Sequence, residues 1–197
     1  MRFTTISAVT TCILIACFLT ACSSFRQGNL QPSHSWPLEA TQEKKTISLF
    51  VTSKKFVNGR REEMPLGLIR SWQKRITQIY VDSGLFSEVE IGPADTDLQS
   101  EVTVSDFRQG MKPDLAPLTL FLFPVRWEDM YVVKTKIKDH DGQTLGSVET
   151  TETVSHWMHL FLMFIAPFRD SPPTVSTDTF ADLIRVSIVE LHEGGAF

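Results

Sequence analysis

At 197 residues, with 42% hydrophobic and 21% charged residues and a formal net charge of −4, the chain is long enough for one domain with a real core. This mildly acidic balance argues against nucleic acid as the main partner. All three cysteines fall within the first 22 residues, so the rest of the chain has no disulfide, thiol redox or cysteine-based metal chemistry.

Met1-Arg2 is followed by an apolar run through Ile13, Leu14, Ile15 and Phe18, and small residues then precede a cysteine. That is the layout of a secretory signal, and the run is too short for a membrane span of about 20 residues. Its end, Leu19-Thr20-Ala21-Cys22, resembles the lipobox of bacterial lipoproteins. The resemblance implies that the Cys22 sulfur takes a diacylglycerol and that Cys22 becomes the N-terminus. Membrane lipid, reached through Cys22, is then the first partner. Ser23 in place of aspartate implies the outer membrane, facing the periplasm. Residues 1–21 read as the signal, and Arg2 is their only charge. The remaining 176 residues therefore carry 18 basic and 23 acidic side chains, or −5.

Residues 22–45 hold Ser, Gln, Asn, Pro and His without a sustained apolar period and are expected to be a lipidated tether. The domain proper is expected over 46–197. Thr46–Val51 alternates as a first strand, and Asn58-Gly59 marks a turn. From Leu66 to Val81 the period changes: Ile69, Trp72, Ile76, Ile79 and Tyr80 recur at helical steps, with Gly84 as the stop. Ser87–Ile91 and Leu98–Phe107 read as strands, the second with Val102 and Val104 inward.

The strand, the helix and then Ser83-Gly84-Leu85-Phe86 leading into Val89 resemble periplasmic lipoproteins of the curli-secretion type. Related arrangements occur in penicillin-binding-protein activator lipoproteins and transporter-auxiliary lipoproteins. The resemblance covers about residues 46–107 and implies a non-catalytic envelope role.

The second half is a predicted hairpin. Tyr131, Val133, Thr135 and Ile137 alternate with Val132, Lys134, Lys136 and Lys138, and Asp141-Gly142 is a turn signal. A turn centred on His140-Asp141 or on Asp141-Gly142 gives a different register, but both set the lysines on the face of Leu145, Ser147 and Glu149. Two apolar runs flank the open end: Leu118–Val125, closed by Trp127, and Trp157–Phe168. Burial is the plain expectation for both. The other expectation makes the second run a membrane or partner contact through Trp157, Leu160, Phe161, Phe164 and Phe168. As a helix of 12 residues it would reach only about 18 Å, too short to cross a bilayer. Residues 170–178 read as a linker, followed by a helix on Phe180, Leu183, Ile184, Ser187, Ile188 and Leu191, with Asp178 as N-cap and Gly194 as stop.

No catalytic, cofactor-binding or metal-binding motif is found. There is no Gly-x-Ser-x-Gly, phosphate-binding glycine loop or His-Glu-x-x-His. His156 and His159 would share a helix face, but without nearby ligands they read as polar edges of an apolar segment. Basic residues crowd Lys44–Arg75, and acidic ones crowd Asp82–Asp106. The expected architecture is a single α/β (α+β) domain, a mixed or antiparallel sheet with two packed helices. The expected function is a non-enzymatic accessory or assembly subunit of envelope machinery, with an envelope protein partner or self-association. Alternatives are a subunit of a membrane-associated oligomer or secretion pore, and an envelope hydrolase.

Overall fold

The alternating patterns close into one seven-stranded sheet, in the order β1-β7-β6-β5-β2-β3 with β4 also on β2. The computed structural model describes residues 22–28, 30, 36–38, 44–111, 122–164 and 170–197. The strands are β1 Cys22–Arg26, β2 Lys45–Val57, β3 Arg60–Glu62, β4 Phe86–Ile91, β5 Leu98–Gly110, β6 Val125–Asp139 and β7 Thr144–Met158. The helices are α1, Leu66–Asp82, and α2, Pro172–Glu193, and a 3-10 turn covers Leu160–Phe164. Pairing is parallel for β2 with β4 and with β5, and antiparallel elsewhere. Parallel neighbours need a crossover, and α1 supplies it between β2 and β4.

One face of the sheet is covered by both helices. Ile47, Leu49, Leu98, Val102, Val104, Val133 and Ile137 meet Ile76, Ile79 and Tyr80 of α1 and Phe180, Leu183, Ile184 and Ile188 of α2. Each such side chain contributes about 1.5–3 kcal/mol on burial. The fully buried Tyr80 hydroxyl is satisfied by Ser100 Oγ at 2.8 Å. Thr150 Oγ1 donates to Leu183 O and meets Ser187 Oγ, which ties α2 to β7.

The hairpin register pairs Val133 with Thr150, Thr135 with Val148 and Lys134 with Glu149, with an irregularity at Ile137/Lys138. The lysines and Glu149 therefore share the polar face, as the alternation predicts. The turn is held by Gly142 N–H to Asp139 O, with Gly142 at φ 81. Strands of this length extend about 50 Å, so the hairpin's open end lies far from its turn.

Three expectations are corrected. The predicted tether begins as strand: Cys22–Arg26 pairs antiparallel with Met158 back to Val154. It has no apolar alternation of its own, and the partner edge imposes the strand. The predicted linker is helical from Pro172, because proline is tolerated in a first turn whose N–H groups have no intrahelical acceptor. Ser171, not Asp178, is the N-cap, accepting from Thr174 N–H. Third, the run from Trp157 is not one helix: it finishes β7 and then makes the 3-10 turn. His156 and His159 thus share no helix face.

Candidate functional site

Register brings the predicted lipid site and the apolar runs to the same end of the sheet. Cys22 lies beside Met158, which lies beside Val125. On the helix-facing side Cys22 and Met158 pack against buried Val125 and Trp127. Burial pushes the Cys22 thiol up from its ordinary value. On the opposite face Phe25, Pro124, Trp157, His159 and Leu162 line a shallow, mainly apolar hollow of about 360 Å³. The Arg126 guanidinium sits 5.0 Å from the Trp157 ring centroid.

The tip of this end is exposed and apolar. Leu122 is 60%, Phe123 69% and Phe161 70% exposed, while Trp157 and Leu160 are half-buried. Burial therefore holds for Val125 and Trp127 of the first run but not for Leu122 and Phe123. In the second run it fails at Phe161. Phe164 closes the 3-10 turn, and Phe168, like residues 118–121, lies outside the described residues. His159 fastens the tip: Nε2 donates to Leu122 O at 3.1 Å and Nδ1 accepts from Phe161 N–H at 3.3 Å.

Behind the tip a buried polar ladder crosses four strands. Arg108 on β5 donates twice to Asp129 on β6, at 2.6 and 2.9 Å. His156 Nε2 on β7 stands 3.2 Å from Asp129 Oδ2, near enough for attraction but not aligned as a full hydrogen bond. His156 Nδ1 meets Ser24 Oγ on β1 at 2.7 Å. Trp127 stacks on the His156 ring, with centroids 4.9 Å apart. Burial opposes the charge on Asp129, but the His156 ring and the Arg108 guanidinium outweigh it and hold the carboxyl below its usual range.

Sequence reading missed this ladder, whose members lie up to 132 positions apart. Only the register unites them. Ser, His and Asp together suggest a hydrolase, but the imidazole nitrogens are used in the reverse order, with Nδ1 on the serine. All three side chains are buried. The ladder instead pins β1: a one-residue slip would turn Ser24 to the other face. Gln27 N–H to Thr153 O, Leu30 N–H to Glu152 Oε2 and the Arg26–Asp182 ion pair add to that hold.

Among the described residues no cluster of three metal-ligating side chains occurs, and no helix is long and apolar enough to cross a membrane. No protein-family model matches the chain, and no curated protein does. Solved structures do resemble it. A PelC dodecamer from Paraburkholderia phytofirmans is 12% identical, with 83% of this chain and 95% of that one covered and a TM-score of 0.40. A neuraminyllactose-binding hemagglutinin homolog from Helicobacter pylori gives 10%, 82%, 91% and 0.44. A minor lipoprotein from Acinetobacter baumannii gives 12%, 77%, 89% and 0.34. At such scores the likeness carries no argument about what this chain does.

Proposed function

We propose that the chain is an outer-membrane lipoprotein, held by acyl chains on Cys22, that serves as a non-enzymatic accessory or assembly subunit of cell-envelope machinery. One observation carries the reading. The predicted lipid site is itself the first residue of a paired strand, and the exposed tip formed by Leu122, Phe123 and Phe161 is at the same end. An anchor there has no slack. The acyl chains hold the tip against the leaflet, where each buried apolar side chain adds about 1.5–3 kcal/mol. The opposite end, with the Asp139–Gly142 turn, then faces the periplasm and a protein partner.

The test joins fatty-acid labelling in cells with crosslinking from residue 161. Label on the mature chain, together with crosslinks to lipid, supports the reading; an unlabelled chain with residues 1–21 still attached refutes it. The same tip also suits contact between copies. Size measurement in detergent separates the two, since a strict monomer leaves lipid as the occupant.

A further inference from the structure

A second feature lies between the helices and owes nothing to the lipid anchor. Near their N-terminal halves α1 and α2 part over the sheet, leaving a cavity of about 540 Å³. Volumes of about 300–1,000 Å³ suit small organic ligands. Its apolar wall is Trp72, Phe180 and Tyr131, with Trp72 stacked on Phe180 at 5.0 Å. Lys55, Lys74, Arg75 and Arg108 line it, against the single carboxylate of Asp106. Arg108 is taken by Asp129, and Lys55 faces Glu62 at 3.6 Å. Lys74 and Arg75 are exposed and have no ion-pair partner among the described residues. Neither helix has an acidic residue in its own first turn to offset the positive end of its dipole.

Asp106 is the independent sign of a ligand. It is 5% exposed, and its Oδ1 has no hydrogen-bond partner among the described residues. Orphaned buried oxygens are uncommon and call for a partner. Asp129, Arg108, Lys55 and His156 act on its charge from β6, β5, β2 and β7, and Tyr131 stands on the same wall.

We infer that this cavity binds a small amphipathic organic anion, with its apolar body on Trp72, Phe180 and Tyr131. Its phosphate or carboxylate meets Lys74 and Arg75, and a hydroxyl reaches Asp106. Lys74 and Arg75 supply the preference for an anion, and the aromatic wall adds affinity only for anions with an apolar body to place there.

The test is equilibrium dialysis of 2-naphthyl phosphate against residues 22–197 carrying Cys22→Ser, a chain that keeps every described strand and helix. The expected result is one saturable site with Kd below about 100 μM that inorganic phosphate displaces poorly. Lys74→Glu with Arg75→Glu, both on the surface, weakens binding at least about tenfold, while Arg60→Glu with Arg61→Glu leaves it unchanged. A hydroxyl at position 6 of the probe tightens binding several-fold in the parent chain and not in Asp106→Val. Displacement by lysophosphatidylglycerol names a lipid source for the natural ligand, displacement by phenyl phosphate alone a water-soluble one, and either keeps the site. Absence of saturation at 1 mM probe, equal loss in both charge-reversal pairs, or equal competition by inorganic phosphate overturns it.

Discussion

Replacing Asp106 by Asn tests how the sheet stores an unsatisfied charge. Burial, reinforced by the neighbouring Asp129 charge, raises the Asp106 carboxyl from the ordinary 3.8 to about 6, with Arg108, Lys55 and His156 only partly offsetting them. At about 1.4 kcal/mol per tenfold change in proton affinity, ionising Asp106 in the folded state costs about 3 kcal/mol. The sign follows from linkage. A carboxyl whose folded pKa is raised supports the fold below its unfolded value and loses that support as pH rises through about 6. Asn removes the charge and keeps the volume, but leaves an amide short of a partner at about 1–2 kcal/mol. The net expectation at pH 7.5 is a gain of about 1–2 kcal/mol, or about 2–8 °C in Tm. Urea and thermal unfolding at pH values from 4 to 7.5 measure it, and the gap between variant and parent closes on acidification. A variant no more stable than the parent at pH 7.5, or a gap that persists at pH 4, refutes the reasoning.

Asp129→Asn should act oppositely. It removes the charge that Arg108 and His156 share and turns one of the two acceptor oxygens into an N–H donor. Because Arg108 is one-third exposed, the loss is near the lower end for broken buried pairs, about 2–3 kcal/mol by urea unfolding. Gly110→Ala should cost about 1–3 kcal/mol in the same assay, because Gly110 has φ 112 and an added Cβ would stand 2.8 Å from Arg126 O. Ser171→Ala should lower stability by about 1 kcal/mol through loss of the α2 cap; no change would restore the later helix start. Phe161→Ser, at an exposed site, should leave the unfolding midpoint within about 0.5 kcal/mol of the parent. The same variant should lower co-flotation with phosphatidylglycerol vesicles, and a large loss of stability would mean that Phe161 is core.

What could be read from the residues is what depends on short periods. Ile69, Trp72, Ile76 and Ile79 mark a helix stripe without help from the rest of the chain, and α1 runs Leu66–Asp82. Tyr131–Ile137 against Val148–Thr150 fixes which face is polar, because all register choices kept the lysines together. The Pro172-Pro173 pair reads as a linker because proline breaks a helix from the inside, yet it is tolerated in a first turn, and Ser171 just before it is the signal for a helix start. Strand β1 was hidden for a different reason. Cys22-Ser23-Ser24-Phe25-Arg26 has no pattern of its own, and its conformation comes from pairing with residues over 120 positions away.

That non-local origin bears on function. An edge strand of five residues would be marginal if only main-chain pairing held it. Here the side chains do the selecting: Ser24 against His156, Arg26 against Asp182 and Gln27 against Ser155 and Glu128. Polar contacts cost desolvation and stabilise little on balance, but a one-residue slip would leave each of them unmade, so in a strand without an apolar pattern they specify the register. A chain that needed only a flexible leash would gain nothing from such specification. If Cys22 carries the proposed anchor, the same specification fixes the angle between sheet and bilayer and brings the exposed Leu122, Phe123 and Phe161 to the contact. Ser24→Val should therefore loosen orientation before it loosens the fold: hydrogen exchange at Ser23–Arg26 rises at least about tenfold while global unfolding shifts by about 1 kcal/mol. Equal protection in both proteins would show that main-chain pairing alone holds the strand and that the ladder has no part in setting the angle.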